Sequence, residues 1–252
     1  MRKLMLLSAL FSPLVMADAL TVAPHSVLRL ANKANVVHLQ RLDVADSATL
    51  LLPSSLVELK VDQLVLGRDA RIAIVPAQDT LRIEAGEAQL AEGSHIAAYG
   101  SAGTYEKPAQ PGRNLDLRLN HLQGPLLSID ARGGAGAPGY VGLDGANGKA
   151  GGCTFGQASR GANGDNGGNG HDGAAGGRVR LALPADYPAE QIKVRLDGGA
   201  PGAAGAAGKP GQGGSSKGCL VYRTAAGANG RPGAEGQPGM AGAPGELSVQ
   251  RL

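Results

Sequence analysis

Two short non-repetitive segments, residues 153–160 and 215–224, hold the side chains whose types and spacing could support recognition chemistry. Both segments interrupt a glycine-rich region. Together they combine aromatic with cationic side chains, a combination that is common at the centre of binding surfaces. The candidate binding residues are Phe155, Arg160, Lys217, Tyr222 and Arg223. In the alternative interpretation, a small hydrophobic plug closes this end of the region and consists of Phe155, Leu220, Val221 and Tyr222.

The only two cysteines, Cys153 and Cys219, fall one in each of these segments. In an exported protein two cysteines are expected to pair, because the compartments that such a protein reaches are oxidising. We therefore expect an intrachain Cys153–Cys219 disulfide that joins the two segments. Two free thiols, or cross-links between chains, are the alternatives.

Metal-binding patterns are weak in this chain. Residues 167–172 match the GGxGxD pattern of calcium loops once, but the surrounding glycine triplets already account for the glycines, and no second copy follows. We therefore predict neither a metal nor a cofactor. Five histidines show no metal-ligand spacing: His25, His38, His95, His121 and His171.

Two equivalent aspartates, Asp130 and Asp197, each precede a Gly-Gly pair and could form paired carboxylates. An aspartate in this position more commonly accepts hydrogen bonds within a turn, which is the interpretation that we favour. The sequence has no Ser-His-Asp arrangement, phosphate-binding loop or Cys-x-x-Cys motif. We expect a protein that is not an enzyme, with a polysaccharide-active β-helix as the enzymatic alternative.

The first 17 residues are typical of a bacterial export signal. Arg2 and Lys3 precede an apolar run at residues 4–15, and Val15-Met16-Ala17 is a small-residue cleavage site. The apolar run is too short to span a bilayer. We therefore expect a protein without a membrane span that is secreted, on the cell surface or in the periplasm. A net charge of +3 and only 3% aromatic residues argue against a nucleic-acid partner.

Residues 18–132 consist of short alternating apolar runs separated by turn residues, which indicates β-strands. Segments 66–72 and 90–96 look like successive rungs of a parallel β-helix, and an antiparallel sandwich is the alternative. Residues 101–113 are predicted to form a loop excursion from one rung. We treat 18–132 as a β-solenoid-like region.

Residues 133–252 contain an internal duplication. Between Gly133 and Gly245 lie 34 of the 41 glycines, many of them at every third position. Each half is predicted to run outward on one glycine run, turn, and return on a second run that ends in a strand. The four runs are residues 133–152 (run 1), 161–177 (run 2), 198–214 (run 3) and 227–245 (run 4).

Glycine at every third residue gives a three-fold extended helix one face of bare backbone, where other segments can approach closely. The predicted fold class is mainly β plus polyglycine-II, in which a right-handed parallel β-helix-like region carries a four-helix antiparallel polyglycine-II bundle. Collagen is the alternative, although proline occurs only at third positions and the glycine phase slips at the interruptions.

Side-chain size predicts where each run lies. Run 3 has nothing larger than alanine over residues 202–208, so we expect a central place for it. Run 2 is rich in Asn and Asp and is expected at a solvent edge. In run 1, Tyr140, Val141 and Leu143 are expected to pack against an apolar surface.

The triplets of residues 133–245 resemble glycine-rich polyglycine-II bundle proteins, which include the tip adhesins of phage long tail fibres and the springtail antifreeze protein. The resemblance implies a rigid slab that displays recognition loops at one end, or a flat face of small side chains. We expect an exported bacterial structural or adhesive protein whose tip loops bind a protein or glycan at a cell surface or in an extracellular assembly. The alternatives are an ice- or carbohydrate-binding module that uses a flat face, and a collagen-like trimer.

Overall fold

The computed structural model describes residues 19–30, 35–154 and 156–252, so the predicted signal peptide at 1–17 and the candidate residue Phe155 lie outside the described residues. Within these ranges the chain is all-β, and its only helical segment is a 3-10 turn at Ala189–Gln191. The strands are β1 (Ala19–Val22), β2 (Val27–Arg29), β3 (Val36–Val44), β4 (Thr49–Leu52), β5 (Glu58–Leu66), β6 (Arg71–Ile74), β7 (Leu81–Leu90), β8 (His95–Ala97), β9 (Leu115–Gln123), β10 (Leu127–Asp130), β11 (Val179–Leu183), β12 (Ile192–Arg195) and β13 (Leu247–Arg251).

The strands form two parallel sheets. A seven-stranded sheet holds the odd-numbered strands in the order β1-β3-β5-β7-β9-β11-β13, and a six-stranded sheet holds the even-numbered strands in the order β12-β10-β8-β6-β4-β2. The chain therefore alternates between the sheets, and each pair of successive strands makes one turn of a coil. The antiparallel sandwich is wrong, because every strand pair in both sheets is parallel.

The core lies between the two sheets and is built from aliphatic ladders. Because side chains alternate across a strand, every second residue faces inward, and parallel register stacks these residues on their equivalents in the next turn. Polar and charged partners alternate on the outer face, where Glu58 pairs in register with Arg82 and Arg82 with Asp116. One inward ladder runs Leu20, Leu42, Leu64, Ala88 and Leu122.

The two segments expected to be successive rungs are neighbours in the coil. Leu66 pairs with Leu90 in one sheet, and Ile72 pairs with Ile96 in the other. Between these strands the chain turns through left-handed backbone at Asp69 (φ 53°) and Gly93 (φ 75°). Asp and Gly adopt this conformation with least strain, which explains their place at this corner.

The glycine-rich region consists of insertions at one corner of the coil. Early turns cross from the six-stranded to the seven-stranded sheet through short connections, at residues 53–57 and 75–80. The next three crossings are excursions of increasing length, at residues 98–114, 131–178 and 196–246. The loop expected at 101–113 is thus the short first member of a series whose two long members are the duplicated halves.

The predicted fold class is wrong. The described residues form an all-β structure of two parallel sheets, without the four-helix antiparallel polyglycine-II bundle expected at 133–245. The glycine runs are extended segments that belong to neither a helix nor a sheet strand. Triplet periodicity misled the prediction, because it describes the shape of one run and not the neighbours with which that run pairs.

Backbone hydrogen bonds join the four runs side by side into what we call the glycine slab. Runs 1 and 3 are parallel, as are runs 2 and 4, whereas pairs 1–2, 2–3 and 3–4 are antiparallel. Runs 2 and 3 are therefore central, since each bonds to the three other runs. One bond from each pairing is Gly136 N–H to Ala200 O (2.9 Å, runs 1 and 3), Gly167 N–H to Ala234 O (2.9 Å, runs 2 and 4), Gly168 N–H to Tyr140 O (2.8 Å, runs 2 and 1), Gly202 N–H to His171 O (2.9 Å, runs 3 and 2) and Gly236 N–H to Gly205 O (3.0 Å, runs 4 and 3).

The sheets set the register of the slab. Residue 127 pairs with 192 in the six-stranded sheet, and run 1 continues this pairing onto run 3, where Gly133 donates to Asp197 O. Residue 179 pairs with 247 in the seven-stranded sheet, and run 2 bonds to run 4 with nearly the same offset. The two parallel pairs of runs thus extend the two sheets outward from the coil.

The central place predicted for run 3 is confirmed, and the edge position predicted for run 2 is wrong because run 2 also bonds to three runs, but its polar side chains are exposed to solvent as expected. Four of these exposed side chains also accept the N–H groups that run 4 presents beside them. The apolar packing predicted for run 1 is also wrong, since Tyr140, Val141 and Leu143 are exposed. The acceptors of run 2 are Asn163 for Arg231 N–H, Asn166 for Ala234 N–H, Asn169 for Gln237 N–H and Asp172 for Met240 N–H, all at 2.7–2.9 Å.

One buried arginine anchors the corner from which the excursions leave. Arg113 is fully buried at the end of the first excursion. Burial lowers the pKa of Arg113 because it withdraws the charge from water, and nearby Asp79 opposes this effect. The guanidinium donates to five carbonyls of the earlier crossings, those of Pro53, Ser54, Leu56, Val75 and Asp79.

Replacing Arg113 should therefore destabilise the coil strongly. Arg113→Met leaves several buried carbonyls without a donor, at about 1–3 kcal/mol each, so we expect the free energy of unfolding to fall by at least about 3 kcal/mol. Arg118→Met on the exposed face of β9 is the matched control and should change it by less than about 0.5 kcal/mol. Equal effects of the two substitutions in denaturant unfolding would contradict this role of Arg113.

A methyl group on a central glycine should disrupt the slab. A Cβ atom on Gly205 would lie 1.9 Å from the Tyr140 carbonyl oxygen. We expect Gly205→Ala to lower the free energy of unfolding by about 3 kcal/mol, at the upper end of the usual cost of overpacking. Ala206→Ser, at the exposed neighbouring position, should leave the melting temperature almost unchanged. A Gly205→Ala variant as stable as the unmodified protein would show that the runs are not closely packed.

Candidate functional site

The two non-repetitive segments project together from the outer end of the slab. The outermost level at which all four runs are joined is formed by Ser159 N–H to Lys149 O (2.9 Å), Gly214 N–H to Ser159 O (2.9 Å) and Gly227 N–H to Gly214 O (2.8 Å). The Ser159 hydroxyl also accepts the Lys149 N–H at 2.7 Å. We call the part of the chain beyond this level the tip.

A disulfide between Cys153 and Cys219 links the two segments of the tip, as predicted. Their Cα atoms lie 5.7 Å apart across 66 residues of sequence. Because the cysteines belong to different excursions, the bond ties the first long excursion to the second at the end farthest from the coil.

Residues 217–224 form a narrow hairpin, which we call the tip hairpin. Gly218 and Arg223 form an antiparallel bridge, and Cys219 N–H donates to Tyr222 O at 2.8 Å. At its base, Thr224 is nearly buried, and its hydroxyl accepts the Lys217 N–H at 2.9 Å. The hairpin is therefore fixed at both its base and its disulfide, and its apex consists of Leu220 and Val221.

Tyr222 ties the hairpin to the other segment a second time. Its hydroxyl donates to the carbonyl oxygen of Cys153, while half of its surface stays exposed. Tyr222 thus combines a structural hydrogen bond with a ring that solvent can reach. Of the four candidate binding residues that the structure describes, Tyr222 is the one whose side chain has a hydrogen-bond partner across the tip.

The hydrophobic-plug interpretation is wrong for the apex. Leu220 is 103% exposed and Val221 is 88% exposed, so neither side chain closes the slab. A two-residue apex between paired residues 219 and 222 has no neighbours against which to bury its side chains. This spacing in the sequence, a dipeptide between Cys219 and Tyr222, was the signal that could have identified Leu220 and Val221 as surface residues.

All three cationic candidates are exposed, but only two of them lie near this apex. The hairpin carries Lys217 and Arg223, and Arg223 lines a groove of about 500 Å³ together with Tyr222 and Thr154. Arg160 lies instead at the slab end of the other segment, next to Ser159. The structure therefore brings Lys217, Tyr222 and Arg223 together and leaves Arg160 at the base of the tip.

All the charged side chains of the tip are cationic. Residues 149–160 and 214–224 contain Lys149, Arg160, Lys217 and Arg223 but no Asp or Glu. The potential at this end of the molecule is therefore positive, although the whole chain carries a net charge of only +3.

The paired-carboxylate interpretation of Asp130 and Asp197 finds no support. Burial disfavours ionisation of Asp130, but hydrogen bonds from the Arg132 side chain and backbone outweigh it and hold the pKa of Asp130 below its usual value. The two side-chain bonds measure 2.9 and 2.8 Å. The turn interpretation is confirmed for Asp130, and the Asp197 carbonyl accepts the Gly133 N–H.

The GGxGxD segment is part of the slab. Gly167 and Gly170 donate to run 4, while the Asn169 and Asp172 side chains accept the N–H groups of Gln237 and Met240. Across the described residues there is no group of three or more His, Cys, Asp or Glu side chains placed to hold a metal ion. The glycine pattern of residues 167–172 is explained by packing between runs.

Comparison of this chain with protein-family models, curated proteins and solved structures finds no match. The resemblance to tail-fibre tip adhesins and to the springtail antifreeze protein stays a prediction, and so does the division of the chain at residue 132. Among the residues that the structure describes, no helix is both long and apolar enough to cross a bilayer.

Removing the disulfide should loosen the tip and lower stability. In the chain-entropy model a 66-residue separation corresponds to about 4 kcal/mol. We therefore expect the double variant Cys153→Ser and Cys219→Ser to lose up to about 4 kcal/mol of unfolding free energy in denaturant. A reductant should lower the stability of the unmodified protein to that of the variant and leave the variant itself unchanged. A double variant as stable as the oxidised protein would show that the bond stabilises nothing.

Proposed function

We propose that this chain is an exported bacterial structural and adhesive protein that displays its tip on the glycine slab, with the coil as its base. The observation that carries the proposal is the exposed Leu220–Val221 apex on a hairpin fixed by a disulfide and by the Tyr222 hydrogen bond. The disulfide supports an oxidising compartment, so we place the protein outside the cytoplasm, in the periplasm, on the cell surface or secreted.

The fixed geometry of the tip supports a binding role. Exposed aliphatic side chains gain free energy when a partner removes them from water. A hairpin that is already ordered loses little conformational entropy when it binds, so more of that gain remains as affinity. A disulfide at the far end of a long excursion is expected if the shape of this end matters.

The partner that we propose is a protein or glycan at a cell surface or in an extracellular assembly. Lys217, Arg223 and Arg160 favour an anionic partner, because the tip has no carboxylate of its own.

A second candidate is an ice- or carbohydrate-binding module that uses a face of the slab. The observation that favours it is the exposure of Tyr140, Val141 and Leu143 on run 1, at 61, 67 and 73%. A collagen-like trimer has no such support, because glycine amides of all four runs donate to carbonyls of the same chain.

Adhesion of protein-coated beads to intact bacterial cells distinguishes these functions. We expect the variant Leu220→Ser with Val221→Ser to reduce bead retention at least tenfold without lowering the melting temperature, because both side chains are exposed. Tyr140→Ser with Leu143→Ser on run 1 is the matched control and should retain full adhesion. Loss of adhesion in the run 1 variant alone would favour the slab-face module. Retention of the unmodified protein no higher than that of albumin-coated beads would contradict adhesion.

A further inference from the structure

The apex of the tip hairpin is convex and apolar. Leu220 and Val221 point into solvent at the farthest point of the second long excursion, and nothing in the described chain covers them. Adjacent exposed aliphatic side chains on a stable, tightly tied hairpin are a cost in water unless a partner receives them. The partner therefore has to accept two small apolar side chains without enclosing the hairpin.

The cationic groups lie just below the apex and not on it. Arg223 is bridged to Gly218 one residue pair below Cys219 and Tyr222, and Lys217 lies at the next pair, beside Thr224. Tyr222, half exposed, stands between the aliphatic and the cationic levels. The order from the apex inward is thus aliphatic, aromatic, then cationic.

This order matches the layers of an anionic bilayer surface. Acyl chains accept aliphatic side chains, Tyr is enriched at the level of the headgroups, and Lys and Arg interact with lipid phosphates. A stable protein–protein interface buries roughly 800 Å² on each partner, so a protein partner would have to contact much more of the molecule than the two aliphatic side chains of the apex. A lipid surface needs no complementary pocket.

We propose, building on the display function above, that the tip binds anionic lipid surfaces: Leu220 and Val221 enter the headgroup–acyl boundary, and Lys217 and Arg223 contact the lipid phosphates. Binding of this kind is interfacial and requires no membrane span. The glycine slab then holds the coil at a distance from the membrane that the tip contacts.

Sedimentation with vesicles tests the lipid partner directly. The disulfide-bonded protein should bind vesicles of equal parts phosphatidylglycerol and phosphatidylcholine, and should not bind phosphatidylcholine alone. Leu220→Ser with Val221→Ser should weaken binding at least tenfold. Lys217→Gln with Arg223→Gln should weaken it by about 25-fold, since each basic residue near an anionic surface contributes about fivefold. Arg41→Gln with Arg118→Gln on the coil removes the same charge far from the tip and should have no effect.

Insertion of the apex can be observed separately, because the chain contains no Trp. The Leu220→Trp variant should show a blue-shifted emission with anionic vesicles and quenching by lipids brominated on their acyl chains. Leu143→Trp, at an exposed position on the side of the slab, should show neither.

Three results would overturn the lipid partner: no excess binding to the anionic vesicles, binding that survives both tip variants, or an unshifted emission from Leu220→Trp. The bead assay shows whether only the proposed lipid partner is wrong or the proposed adhesive function is wrong as well. Tip-dependent retention on cells without vesicle binding would leave adhesion intact and assign the tip to an acidic protein or glycan. If the unmodified protein neither binds the vesicles nor is retained on cells, both proposals are contradicted.

Discussion

The approach of backbone to backbone between the glycine runs is the constraint on which the rest of the structure depends. A Cβ atom at Gly139 would lie 2.0 Å from the Gly168 oxygen, and one at Gly233 would lie 2.0 Å from the Asp165 oxygen. Only glycine allows this distance, and only this distance lets the runs exchange hydrogen bonds along their length. Without those bonds two excursions of about fifty residues would have no means of standing beside each other, since the slab has almost no apolar core.

The same constraint explains where proline occurs. In runs 1 and 4 the N–H of the third residue of a triplet has no acceptor in the slab, so a residue that lacks this N–H loses nothing there. Proline therefore occurs at third positions for a reason unrelated to collagen. On run 4, Pro232, Pro238 and Pro244 each remove a donor that a further run could use, which limits growth of the slab at that edge.

The register of the slab begins in the coil. Parallel register in the two sheets places successive excursions side by side, and the runs keep that register as they leave the coil. Arg113 holds the carbonyls of the earlier crossings at the corner where the excursions begin. The tip is thus positioned by a continuous series of backbone pairings that begins in the coil, and the disulfide closes that series at its far end.

Several features could be predicted from the sequence because they depend on local chemistry. The duplication, the pairing of Cys153 with Cys219 and the central place of the small-residue run are of this kind. The fold class could not be predicted, since a triplet repeat does not indicate which runs are neighbours or whether they are parallel or antiparallel. Run 2 misled for a related reason: Asn166 and Asp172 are exposed to solvent, but their side chains also accept N–H groups of run 4, so run 2 does not lie at an edge of the slab. The hydrophobic plug was considered for Leu220 and Val221 because apolar side chains are usually buried, whereas the hairpin exposes them.

The central claim, that lateral glycine hydrogen bonds hold the slab that positions the tip, is tested most directly by residue-resolved amide hydrogen exchange. Gly202, Gly205 and Gly208 of run 3 donate to run 2 and should exchange slowly. Ala204 and Ala207, whose amides have no acceptor among the described residues, should exchange at nearly unprotected rates. Protection that recurs at every third residue is the result that we predict. Uniformly fast exchange along run 3, or protection without this period, would contradict the account.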